Sequence, residues 1–437
     1  MSNTRSAVPV LAYTPLKLLL AYLIGTLLIA LFGPTIYFGF PTFNVVLFMS
    51  ITMVVMAFGY INGVRVPIKT AKSGTKMDRK FVIYLFRTSL IAALLTLTVS
   101  VGASIWAGTF NIDVDAIGTT YMDGYEGYER NSGSYSLVFL IYSFSLPFTF
   151  IAMIWGMYYF RSLTKLEKAA VIFLLFGSLI FYVLGSGKQK QLGDTLIYFI
   201  AIFGIHLGVR NKVIATRTIV LSVLGSVISL FSFMFILSQR YAAIAVDAFN
   251  YNQKSLNSIS MNVDHPIFTI FGPDMGLSMA IFLGYLSQGY YGLGLAMTVE
   301  HSWTYFLGFS YSLSVIANRL LGMDWVWNDS LVHQTGLQRG WGESKWHTVF
   351  THFATDFTFP GTIIIFGFIA YLYARVWMSA IRYQNPFAIL MFAMLTLGAF
   401  FIPANNQLLH APGNLFTVIV ITILYLAKAR SFNRKSN

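Results

Sequence analysis

The side chains best suited to chemistry in this sequence lie between Arg339 and Asp356. Trp341, Lys345, Trp346, His347 and His352 fall between them. A helix over this stretch puts His347 and Thr351 on one face and makes His352 and Asp356 an i, i+4 pair. An imidazole titrating near neutrality can take a proton from a hydroxyl, and a nearby carboxylate orients it or raises its pKa. The same residues also suit a membrane interface, with Trp341 and Trp346 in an aromatic belt and the histidines only hydrogen-bonded. A zinc pair fits poorly, because His347 and His352 are five residues apart and helical metal pairs are spaced i, i+4.

Two shorter places carry cations. Gly185-Ser186-Gly187-Lys188-Gln189-Lys190 is a tight link between two apolar runs, which pins Lys188 and Lys190 near a membrane surface. Ammonium groups and glycine amides suit the phosphate oxygens of an anionic, lipid-linked group. The alternative is a solvated turn whose lysines snorkel to lipid phosphates. It is not a nucleotide-binding loop, since the Gly-Lys-Ser/Thr spacing is missing. Gln239-Arg240-Tyr241 follows another apolar run, where Arg240 either forks a carboxylate or phosphate or anchors the interface. An acidic, aromatic segment at 107–134 reads as a sugar-stacking surface or a plain outer loop.

The elements that must position these groups are membrane helices. The chain of 437 residues is 56% hydrophobic and 10% charged, where soluble domains carry about 25% charged residues. Its apolar blocks are about 17–25 residues long, enough to cross a hydrocarbon core of about 30 Å. The expected spans are 16–33, 42–62, 81–106, 135–159, 168–185, 194–209, 217–238, 361–381, 386–402 and 413–429. A long outer loop at 239–360 separates the seventh from the eighth. Within it, 275–286 and 292–316 are apolar enough to be interfacial or re-entrant, and no charge marks a cytoplasmic turn, so no crossing is expected there. The absence of cysteine excludes disulfides, thiolate metal sites and cysteine nucleophiles. The first apolar block reads as a retained helix rather than a cleaved signal.

Charge sorting orients the bundle. With both termini inside, the cytoplasmic segments hold 21 of the 29 Lys and Arg but only two of the 16 acids, Asp78 and Glu167. The basic balance therefore reports topology and contact with anionic lipid, not nucleic acid. Six of the seven histidines, all but His206, then fall outside. So do eight cations, among them Lys188, Lys190, Arg240, Arg319 and Arg339.

The pattern resembles bacterial O-antigen and capsule repeat-unit polymerases (Wzy-type), and more distantly the O-antigen ligases. Gly185 to Lys188 looks like that family's Ser-Arg turn, with lysine for arginine. Leu286-Ser287-Gln288-Gly289-Tyr290-Tyr291-Gly292-Leu293 resembles the glycine-bearing stretch of its long outer loop. His347-Thr348-Val349-Phe350 through Asp356-Phe357 to Gly361 resembles its His-Asn-x-Tyr … Glu-x-Gly-x-x-Gly run. Thr348 replaces the asparagine, and Thr358 stands where glycine is common.

The resemblance implies an all-α polytopic membrane protein of about ten helices (10–12), GT-C-like, forming one domain over 1–437. It implies a glycosyltransferase of the bacterial inner membrane, with its site facing the periplasm and no metal, nucleotide or other cofactor. The partners would be undecaprenyl-diphosphate-linked oligosaccharide, membrane lipids and a chain-length regulator. His347 would deprotonate the acceptor hydroxyl, supported by His352 and Asp356. Lys188, Lys190, Arg240 and Arg339 would hold the leaving diphosphate, and Arg319, Trp341, Trp346 and Tyr241 the glycan. The competing readings are a ligase that transfers finished polymer to lipid A core, a flippase for the same lipid, and a non-enzymatic scaffold.

Overall fold

The computed structural model describes residues 11–68, 76–106, 110, 137–184, 190–210, 224–225, 227, 230–238 and 259–432. Most of them are helical, since lipid offers the backbone no partners and a helix supplies its own. The first half of the chain forms α1 (Thr14–Phe32), α2 (Thr42–Arg65), α3 (Lys76–Trp106), α4 (Leu137–Tyr158), α5 (Lys165–Leu179) and α6 (Lys190–Arg210). A capping box of Thr164 and Glu167 opens α5, which ends in a π turn at Ile180–Leu184.

The second half begins with β2 (Ile259–Met261), which pairs antiparallel with β1 (Thr35–Tyr37), a small ribbon in a chain expected to be all-helical. Next come α7 (Pro266–Ala296), α8 (Tyr311–Leu321), α9 (Trp325–Asn328) and α10 (Leu331–Arg339). The chain finishes with α11 (Val349–Tyr383), α12 (Pro386–Phe401), α13 (Gln407–His410) and α14 (Pro412–Phe432).

Among the described residues, α1, α2, α3, α6, α7 and α11 are long and apolar enough to cross a membrane, and α12 and α14 are shorter apolar helices. Of the expected span at 217–238, residues 224–225, 227 and 230–238 are described, and they are helical. Large apolar side chains stay exposed along these helices, including Leu18, Phe43, Val54, Phe58, Ile91 and Leu95, a surface that suits lipid.

The closest helix pairing is between α2 and α11. A methyl on Gly59 would overlap the Gly367 carbonyl, so only glycine lets the two backbones approach this far. Buried aromatics tie their polar atoms to backbone: Tyr60 Oη donates to the Ala12 carbonyl and Trp155 Nε1 to that of Pro386.

The segments 33–41, 259–348 and 402–411 gather at one end of the bundle, called here the loop end. α7 has the length for a crossing, yet both its flanks are held at this end. Asn262 N donates to the Pro34 carbonyl before it, and near its close Tyr291 Oη donates to that of Phe38. A reversal at Gly272-Pro273 (φ 76°, ψ 171°) folds its first turns back, so that Phe268 packs against Gly276.

The expected span at 361–381 begins earlier, at Val349, and bends at Thr358 two residues before Pro360. The helix expected to include His347 starts only after it. Thr348 is the N-cap, its hydroxyl accepting from Thr351 N, so His347 lies in the non-helical segment ahead.

Candidate functional site

The residues expected to carry the chemistry divide into those that build the loop end and those that face open space. Asp356 belongs to the first group. Its Oδ1 accepts from Thr304 N (3.1 Å), Thr304 Oγ1 (2.6 Å) and Phe306 N (3.0 Å), and its Oδ2 from Phe309 N (2.8 Å). These bonds hold Tyr305 and Phe306 at φ 54° and 63°, a left-handed backbone that side chains with a Cβ rarely adopt. With four donors on its carboxylate, Asp356 anchors this loop rather than supporting a histidine.

His347 is also built in. Its Nε2 donates to the carbonyls of Trp341 (3.0 Å) and Gly342 (3.3 Å), which fixes the proton on that nitrogen. Nδ1 is buried with no hydrogen-bond partner among the described residues. It faces Gly292, where a methyl would come within 2.9 Å of Nδ1 and 2.8 Å of Trp341 Nε1, so glycine is required there. Burial pushes this imidazole down to about 4, and it is neutral at pH 7. His352 is buried beside it, ring centroids 6.5 Å apart.

Trp341, expected to stack on glycan, is fully buried against Tyr291 and donates from Nε1 to the Trp346 carbonyl. Arg339 is exposed and donates to the Thr298 carbonyl at 3.2 Å. Arg319 stands exposed in the last turn of α8. Lys188, Arg240, Tyr241 and the segment 111–134 lie outside the described residues.

The open space is a cavity of about 840 Å³ enclosed chiefly by α3, α4, α5, α6, α12, α13 and α14. Toward the loop end its wall is polar, with Lys190, Asp194, Trp346, Gln407, His410 and Asn414. Deeper in the bundle Leu97, Phe150, Met153, Leu174, Met394 and Leu397 make it apolar. Of the expected site residues, Lys190 and Trp346 line it, and His347, His352 and Asp356 do not.

Lys190 and Asp194, one turn apart on α6, form an ion pair with Nζ 2.9 Å from Oδ2. Asp194 is buried, and its Oδ1 has no partner among the described residues. A carboxylate with an unused buried oxygen is costly without a purpose, and such groups mark sites. The Lys190/Asp194 spacing was the available signal for it.

His410 is exposed and lines the cavity. Partial desolvation by the cavity wall and the Lys190 cation hold its imidazole below the usual range. The cavity can therefore offer an ammonium, a carboxylate oxygen, an unprotonated imidazole and a half-buried indole to one ligand.

These features define a helical membrane protein with a partly open, amphipathic cavity. Comparison with protein families, with curated proteins and with solved structures gives no match.

Proposed function

We propose that this protein is a membrane glycosyltransferase that polymerises undecaprenyl-diphosphate-linked oligosaccharide repeat units into a surface polysaccharide. The reading places it in the bacterial inner membrane, with both termini cytoplasmic and the loop end in the periplasm. The observation that carries it is the division of the cavity into a polar mouth and an apolar depth. A ligand that fits such a wall has a charged, hydroxyl-rich head and a long hydrocarbon tail, as a polyprenyl diphosphate sugar has.

The chemistry needs little more than placement. The donor glycan is already activated, because its diphosphate leaves with the electron pair of the glycosyl bond. A cation preorganised at the mouth stabilises the charge that grows on that group, and Lys190 is so placed. Trp346, partly exposed at the same mouth, offers a face for a sugar ring. Direct displacement by an acceptor hydroxyl inverts the anomeric centre.

Purified protein in nanodiscs, given undecaprenyl-diphosphate-linked repeat units with EDTA and no nucleotide, is expected to yield a ladder of extended glycans on a gel. Transfer to added lipid A core without a ladder would instead make it a ligase. Folded protein that makes neither product rules out both transferases.

A further inference from the structure

A transfer of this kind needs a base in contact with the acceptor, and the His347 imidazole is sealed away from the cavity. His410 is not. It sits in the turn between α12 and α14, on the cavity wall. Its ring lies over Tyr311 with centroids 5.0 Å apart and planes 18° from parallel. The backbone beneath it is clamped by α8, because Ser312 Oγ donates to the His410 carbonyl (2.8 Å) and Ser310 Oγ to that of Leu409 (2.7 Å). Asn406 Nδ2 adds a bond to the Phe309 carbonyl (2.8 Å), next to the loop that Asp356 holds.

Orientation of that quality around a solvent-open imidazole is what a proton acceptor requires and what a packing residue does not. The titratable groups that face it are Lys190 and Asp194 from α6, Tyr142 of α4, His352 of α11 and Tyr311 of α8.

Building on the glycosyltransferase reading, we propose that His410 is the general base of the reaction. One ring nitrogen takes the acceptor hydroxyl proton as that oxygen bonds to the donor's anomeric carbon. The bond from this carbon to the diphosphate breaks in the same step, and its electron pair leaves on the diphosphate oxygen beside Lys190. Asp194 Oδ1, buried and unpartnered among the described residues, accepts from a second hydroxyl of the acceptor sugar and sets which hydroxyl reaches His410. The depressed imidazole pKa keeps the ring unprotonated and ready to accept at pH 7.

The test compares full-length wild type with His410→Gln, His410→Ala and His347→Gln in nanodiscs, using undecaprenyl-diphosphate-linked repeat units as substrate. Ladder rates are read alongside binding of undecaprenyl diphosphate itself, which reports folding of the site without chemistry. His410→Gln is expected to slow extension by about 10²–10⁴-fold while binding persists. Added imidazole should restore part of the rate to His410→Ala, which it could not do for a merely structural residue. The acid limb of the wild-type pH–rate profile should vanish in His410→Gln and persist in His347→Gln.

Wild-type extension by His410→Gln, or loss of extension in His410→Ala with no rescue by imidazole, overturns the assignment. An inactive wild type would sink the glycosyltransferase reading and the base with it. An active wild type with an active His410→Gln sinks the base alone.

Discussion

An imidazole pinned between two carbonyls serves a different end from one left open beside an ammonium. His347 donates from Nε2 to two backbone oxygens and packs Nδ1 on Gly292. Its contribution is therefore to stability, and it depends on pH. The folded-state pKa of about 4 lies below the unfolded value near 6.5, so the unfolded chain takes up the proton first. Stability from this residue is whole above pH 6.5 and is lost as pH falls toward 4, by about 3 kcal/mol at pH 4. Thermal unfolding in detergent at pH 7.5 and 4.5 checks the prediction. Wild type should lose more stability on acidification than His347→Gln, by roughly 2 kcal/mol, since every other group titrates in both proteins. Equal losses would mean that His347 does not titrate between the folded and unfolded states as burial demands.

At the scale of elements, the described contacts form a chain from Asp356 to His410. Asp356 holds the loop at Thr304–Phe306 and Phe309, Ser310 next caps α8, and α8 clamps the turn that bears His410. Asparagine at position 356 would keep one oxygen for Thr304 and Phe306 and turn its N–H₂ toward the Phe309 amide, which can only donate. Asp356→Asn should cost on the order of 3 kcal/mol, with faster hydrogen exchange at residues 304–309. Extension should slow while undecaprenyl diphosphate binding and the acid limb of the pH profile survive, because the base is still present but loosely held. Unchanged exchange at these amides would break the link.

The apolar helices α1, α2, α3, α6 and α11 were legible in advance because apolar runs of spanning length have few other fates in lipid, whereas α7 falls in the stretch where no span was expected. The Asp356 cradle was not, because its donors come from a loop far upstream in the chain. An i, i+4 reading saw only His352, on the same helix. His410 escaped for a similar reason: α13 brings it to Lys190, across about half the chain. Trp341 and His347 were legible as unusual residues, but spacing carries no information on burial, and both proved to be core.

On the scale of the whole molecule, the proposed function has the basic end of the bundle in the cytoplasm and the loop end outside, as charge sorting predicts. α7 is the element on which the count of crossings turns. Its composition suits a span, while its flanking contacts with Pro34 and Phe38 keep both ends on one side. The chain has no cysteine, so single cysteines can report sidedness without background. Asp264 and Glu300 are exposed on either flank of α7, and Lys80 is exposed near the start of α3. In spheroplasts, a membrane-impermeant maleimide should label Asp264→Cys and Glu300→Cys at once, and Lys80→Cys only after permeabilisation. Labelling of Lys80→Cys alone would invert the molecule and put the cavity mouth in the cytoplasm, against the proposed function. Labelling of just one α7 flank would mean that α7 crosses. Residues 259–265 and 297–348 would then lie on opposite faces, which the hydrogen bonds from Asn262 and Tyr291 to a single short connection do not permit.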